Sequence, residues 1–142
     1  MLKPVITLLF VTFAMTTMGN QAEAVCEGRT KISGEWKGDD GGTYHFRWAD
    51  NGVWWVGLSP DGGDAWTNVF SGTYDKRTKK ITGNWSDVRS SGSWKDGKEK
   101  QGQITLELIG EGPEKDVKGF KKVQGTGWNF GATKWFAKCN DG

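Results

Sequence analysis

The chain has 142 residues, with 19 basic against 17 acidic side chains and a net charge of +2. That length suits one domain with a single core. Acidic residues are interspersed among the basic ones along most of the chain, which argues against a nucleic-acid groove. One histidine and two cysteines, with no CxxC pair, leave too little for a metal centre, and no cofactor is expected.

Lys3 precedes an apolar run from Val5 to Met15, and small and polar residues then close on Ala22-Glu23-Ala24. A basic start, a short apolar segment and an A-x-A site are the pattern of a secretory signal peptide over 1–24. The run is too short to cross a bilayer, which takes about 20 residues. A mature domain over 25–142, secreted or periplasmic, is therefore expected, with no membrane attachment after cleavage. Export also argues against a nucleic-acid partner.

Cys26 and Cys139 lie near the two ends of that mature chain. An even cysteine count in an exported protein favours a disulfide, and only one pairing exists. It would close a loop of roughly 100 residues, which the chain-entropy view credits with about 4.7 kcal/mol. It would also bring the first and last strands together.

Between the cysteines, short runs rich in Val, Ile, Thr and aromatics alternate with Gly, Asp, Asn and Lys. Strands are expected near 30–37, 43–49, 52–58, 66–74, 79–86, 103–109, 117–123 and 132–138. The segment 89–102, "RSSGSWKDGKEKQG", reads as a long loop. Within 43–49, Tyr44, Phe46 and Trp48 share one face, and Thr43, His45 and Arg47 the other. "ADNG" at 49–52 reads as a hairpin turn containing Asn-Gly. "ISGEW" at 32–36 recurs as "ITGNW" at 81–85, which suggests two equivalent strands, each supplying a tryptophan to the core. The sum is an all-β domain. A small antiparallel barrel of about eight strands with its termini joined is favoured over a β-sandwich, because closure removes edge strands.

"SPDGGDAW" at 59–66 resembles the Asp-box, the S-x-D-x-G-x-x-W pattern of sialidase-type propellers and other β proteins. Ser59, Asp61, Gly63 and Trp66 fill its four positions. The resemblance implies a structural turn: Asp61 accepts turn amides, Gly63 permits positive φ, and Trp66 folds back as a plug. A propeller needs several four-stranded blades, which this chain cannot supply. The train from Asp40 to Val88 is similar to a recurring family of small exported domains with DGGTY, VWWxG, SxDGG, TNVFxG and ITGxWxDV blocks, which implies a domain and no reaction. Gly34-Glu35-Trp36 loosely resembles the opening strand of avidin-like and lipocalin-like barrels. "KGDDGG" after it departs from avidin, and biotin is not carried over.

Nothing marks an enzyme. There is no G-x-S-x-G elbow and no thiol left free by the disulfide. Glu35 and Asp87 are arbitrary candidates for a glycosidase carboxylate pair, and no spacing selects them. His45 has no visible partner for general-base work.

The nine tryptophans are the remaining lead. Most belong in a core. Trp54 and Trp55 are adjacent on one strand and must face opposite ways. Trp54 shares its side with Val56 and Leu58, the more continuously apolar set, and is assigned to the core. Trp55, with His45 and Arg47 from the preceding strand and Trp94 from the polar loop, is the candidate site for a small-molecule or glycan ligand. The expected role is a non-catalytic exported binding protein for a carbohydrate or other small polar ligand. An inhibitor that binds an extracellular protein is the second reading, and a small glycoside hydrolase the third. "NWS" makes Asn84 a glycosylation sequon in a host that glycosylates.

Overall fold

The computed structural model describes residues 31–88, 100–127 and 129–137. Cys26 and Cys139, Trp94 and the 1–24 segment lie outside the described residues. Eight strands follow one another in chain order: β1 (Gly34–Gly38), β2 (Thr43–Ala49), β3 (Gly52–Leu58), β4 (Thr67–Asp75), β5 (Lys80–Val88), β6 (Gln101–Gly112), β7 (Lys115–Gly127) and β8 (Lys134–Ala137). Each pairs antiparallel with the next, and β8 pairs with β1, so the sheet closes as a barrel rather than stacking as a sandwich. The closing seam is short: Trp36, Lys37 and Gly38 face Ala137, Phe136 and Trp135.

Strict alternation drives the closure. In β2, Tyr44 and Phe46 are buried while His45 and Arg47 are exposed. In β5, Ile81 and Trp85 are buried while Thr82 and Asn84 are exposed. A period of two with one apolar face can hide that face only by stacking or curling. β6 and β7 run longer than their composition suggests. Their ladder slips between Thr105 and Leu106 and again between Ile109 and Gly110. Such bulges bend and twist a long hairpin, as a small barrel requires.

The interior is largely aromatic. Phe46 stacks on Phe120 with centroids 4.8 Å apart, and Trp36 meets Phe120 edge-on at 4.8 Å. The two echoed segments both supply this core: Ile32 and Trp36 from one, Ile81 and Trp85 from the other, are all buried. They differ in one respect. Trp36 donates its indole N–H to the carbonyl of Ile32 at 2.8 Å. Ile32 precedes β1, so its carbonyl is free to accept. Ile81 lies inside β5 with strands on both sides. Trp85 Nε1 is buried without a partner among the described residues.

The two ends of the barrel differ. One carries tight turns at 49–52, 75–80 and 112–115. There Asp50 and Asn51 both have positive φ (48° and 64°), so the two-residue turn is type I′. The turn is centred on Asp-Asn. Gly52, expected within it, instead opens β3 opposite Ala49. The other end carries the connections 39–42, 59–66 and 129–133, and is called the loop end below.

Candidate functional site: an outer aromatic shelf and a sealed mouth

The 59–66 stretch is a turn closed by its own side chains. The Ser59 hydroxyl donates to Asp61, and Asp61 accepts the Ala65 amide at 3.1 Å. The Trp66 amide donates to Ser59 Oγ at 3.3 Å, and the Ser59 amide to the Trp66 carbonyl at 3.0 Å. Gly63 has a φ of 107°, which favours glycine. Trp66 packs against the core beside Tyr44, with centroids 6.0 Å apart. The Ser59 bond and then the Ala65 amide hold Asp61 below the usual carboxylate range. Asp61→Ala should lower the melting temperature and leave ligand affinity unchanged, measured on one preparation by thermal denaturation and titration.

The tryptophan pair faces the opposite way from the sequence expectation. Trp55 is 2% exposed and Trp54 41%. Trp55 stacks on Phe70 with centroids 3.9 Å apart and donates its N–H to Asn68 Oδ1 at 2.8 Å. The reason lies in β4. Asn68, Phe70 and Tyr74 turn inward, and the register pairs Trp55 with Phe70. The apolar run Trp54, Val56 that suggested a core face lies outside instead, opposite Val69. The wall of the barrel therefore separates Trp55 from His45 and Arg47.

His45 and Arg47 do have an aromatic neighbour. The register places Arg47 opposite Trp54 and His45 opposite Val56 on the outer wall. Across the next ladder, Trp54 faces Ser71 and Val56 faces Val69. The indole of Trp54 lies back over Gly52: a Cβ there would overlap Cη2 of the ring and come within 2.8 Å of Cζ2. The absence of that Cβ lets the ring lie close against the sheet. Arg47, Ser71 and Thr73 stand on the flanking strands. Arg47 makes no ion pair or hydrogen bond among the described residues. Glu35 is paired with His45 and so belongs to the outer face, whereas Asp87 is paired with inward Asn68. These two carboxylates stand on opposite sides of the wall and do not share a cleft.

The loop end is closed by two consecutive aspartates with different tasks. Asp40 accepts the Tyr44 hydroxyl at 2.7 Å and the Gly42 amide at 3.0 Å. Burial, and then Asp40, push the Tyr44 phenol well above its ordinary value, so it remains a donor. Asp39 reaches across to the 129–133 connection, accepting the amides of Thr133 at 2.7 Å and Lys134 at 3.2 Å and the Thr133 hydroxyl. Burial raises Asp39, but these bonds outweigh it and leave the carboxyl below its ordinary value. A depressed carboxyl contributes stability that is complete above its unfolded pKa, about 3.9, and is lost as pH falls through the folded value. Wild type should thus lose more stability than Asp39→Asn on acidification below about pH 4, as read by urea midpoints at a series of pH values.

Phe130 comes from that same connection and enters the barrel. It is 4% exposed and its ring lies 4.9 Å from Trp85, 5.8 Å from Trp55, 6.0 Å from Trp135 and 6.2 Å from Tyr44, centroid to centroid. Asp87, half-buried beside this cluster, is raised by burial, with Lys100 opposing. Asn68 and Phe130 are the residues the sequence did not single out. Asn68 was visible as the one polar side chain on the inward face of "TNVF". Phe130 had no periodic partner to place it. No family model, curated protein or solved structure matches the chain.

Proposed function

We propose that the protein is an exported, non-catalytic binding barrel for a saccharide, with its site on the outer wall at Trp54. One observation carries this reading: a tryptophan ring lying against the sheet over Gly52, 41% exposed, opposite an unpaired Arg47 and beside Ser71. The apolar face of a pyranose stacks on such a ring, and the guanidinium and hydroxyls orient its oxygens. The outer shelf is open to a ligand, whereas the interior is filled by Phe130 and its neighbours. A disulfide between Cys26 and Cys139 fits this reading, since Ala137 already pairs with Trp36 across the seam. Wild type and Trp54→Ala should be compared on a glycan array, with melting temperatures in parallel. The expected result is loss of glycan binding with the fold retained. Equal binding by Trp54→Ala would overturn the proposal.

A second reading has its own support. Val56 and Val69 face each other beside Trp54 and are 43% and 39% exposed, which enlarges the apolar surface beyond one sugar ring. Such a patch suits a protein partner, as an inhibitor of an extracellular enzyme would need. Val56→Lys separates the two: it should abolish capture of a protein and spare glycan binding.

A further inference from the structure

Two buried donors inside the barrel have no use in the fold. Trp85 is 4% exposed and Trp135 fully buried, and neither indole N–H meets an acceptor among the described residues. Native proteins rarely leave such groups unpaired, and each one calls for a partner. The comparison within this chain sharpens the point. Trp36 and Trp55 also bury their indoles, and each has an acceptor, the Ile32 carbonyl and Asn68 Oδ1. Both orphan rings flank Phe130, as Trp55 also does with its N–H already satisfied by Asn68.

Phe130, like Trp66 of the 59–66 turn, stands outside the strands at this end. Tyr44, Trp55, Trp85 and Trp135 stand on strands whose ladders fix them. Phe130 stands on a connection, between β7 and β8, followed by Gly131. Its segment is held by replaceable polar ties: Lys122 Nζ donates to the Phe130 carbonyl at 2.6 Å, and Asp39 holds Thr133 and Lys134. A phenyl ring has no acceptor for an N–H beyond its π face. It fills a ring-shaped slot without satisfying the two donors beside it.

From this juxtaposition we infer that the place of Phe130 is a second, interior ligand site, for a small uncharged ring compound with hydrogen-bond acceptors on its edge. The aromatic walls set the shape, a single flat ring in place of the phenyl. The two indole donors set the chemistry, since they give protons and take none. Charge is set by the same surroundings. Asp40 and Asp87 at this end disfavour an anion, and two buried N–H donors without an acceptor disfavour a cation. Loading requires Phe130 to withdraw, so the apparent affinity of the resting protein is lowered by the small fraction of molecules with the slot open. The site is separate from the outer shelf, with the barrel wall between Trp55 and Trp54.

The three diazines pyridazine, pyrimidine and pyrazine test this. They match the phenyl ring in size, are uncharged at neutral pH and differ only in where their two acceptors lie; benzene is the control without acceptors. Each is titrated into full-length wild type, Phe130→Ala and Phe130→Leu, with the tryptophan indole N–H resonances followed by NMR and assigned through Trp85→Phe and Trp135→Phe. At least one diazine should move the Trp85 or Trp135 indole signal downfield, in the direction of a new hydrogen bond, and bind Phe130→Ala at least tenfold more tightly than wild type. Benzene should bind Phe130→Ala without moving those signals downfield. Phe130→Leu, which keeps most of the apolar volume, guards against a fold lost in the alanine variant and should fall between the two. Trp54→Ala should leave all of this unchanged. Binding of benzene and diazines alike, with neither indole signal responding, would overturn the proposal. So would indole N–H groups that show cross-relaxation to a resident water no diazine displaces.

Discussion

Trp55→Ala should cost the protein about 3–5 kcal/mol of stability, the range for large aromatic truncations in a core. The ring is 2% exposed and stacks on Phe70 at 3.9 Å with planes 8° apart. It also touches Phe46 at 5.0 Å and Tyr44 at 5.9 Å, so its removal opens a void beside these three rings. A polar loss adds to the apolar one. Asn68 is 4% exposed, and its Oδ1 accepts the Trp55 N–H. Without that donor a buried acceptor is left unpaired, which costs about a further 1–3 kcal/mol. Trp54→Ala, one residue away, should change stability by less than about 1 kcal/mol, as exposed positions do. Urea unfolding followed by far-ultraviolet circular dichroism measures both. Comparable losses in the two variants would show that the wall has been assigned the wrong way round.

The error that this pair exposes is physical. Side-chain alternation along 52–58 is legible from the sequence, and it places Trp54 and Trp55 on opposite faces correctly. Which face is inward is not decided by one strand's own apolarity. Trp54, Val56 and Leu58 form the more apolar row, yet the row of Val53, Trp55 and Gly57 is buried. The deciding residues lie on other strands. Phe46 from β2 and Phe70 from β4 are inward, and the ladder puts both opposite Trp55. Gly57 leaves the space that Tyr44 and Asn68 occupy: a Cβ there would come within 2.6 Å of each. A glycine among aromatics marks a place filled from across the ladder.

The fold itself was more legible than the site. All eight strands fall near where period-two alternation and turn residues placed them, although β1 begins only at Gly34 and β6 and β7 run longer than expected. Closure was correctly expected because it removes edge strands, although the disulfide also used to argue for it lies outside the described residues. The site depends on register and on loop conformation, which no local pattern encodes. His45 and Arg47 were rightly read as one face. Their partner was misread, because that choice required knowing which side of the wall the face became. The entry of Phe130 into the mouth rests on the ties at Lys122 and Asp39, and Asp39 lies 94 residues from its partner Thr133.

The second large effect should come from adding atoms. Gly83 in the "ITGNW" segment faces Gly72 across the β4–β5 ladder, and the ring of Phe70 lies over the pair. A Cβ at residue 83 would overlap the Ser71 carbonyl oxygen and the Gly72 Cα, and come within 2.7 Å of Phe70 Cζ. The first two obstacles are backbone atoms of a neighbouring strand, which no change of rotamer can move. Overpacking in a well-filled core typically costs about 1–3 kcal/mol, and more where backbone must shift. Gly83→Val should therefore lie at or beyond the upper end, about 3 kcal/mol or more, even though valine favours strands. Gly112→Ala is the matched control. It too is a strand glycine, no neighbour lies within 4 Å of the added carbon, and its φ is not in the left-handed region. It should be close to neutral, within about 0.5 kcal/mol. Thermal and urea unfolding of the two variants side by side give the comparison. A Gly83→Val protein as stable as Gly112→Ala would mean that β4 and β5 are not held at the close approach on which the curvature of this wall depends.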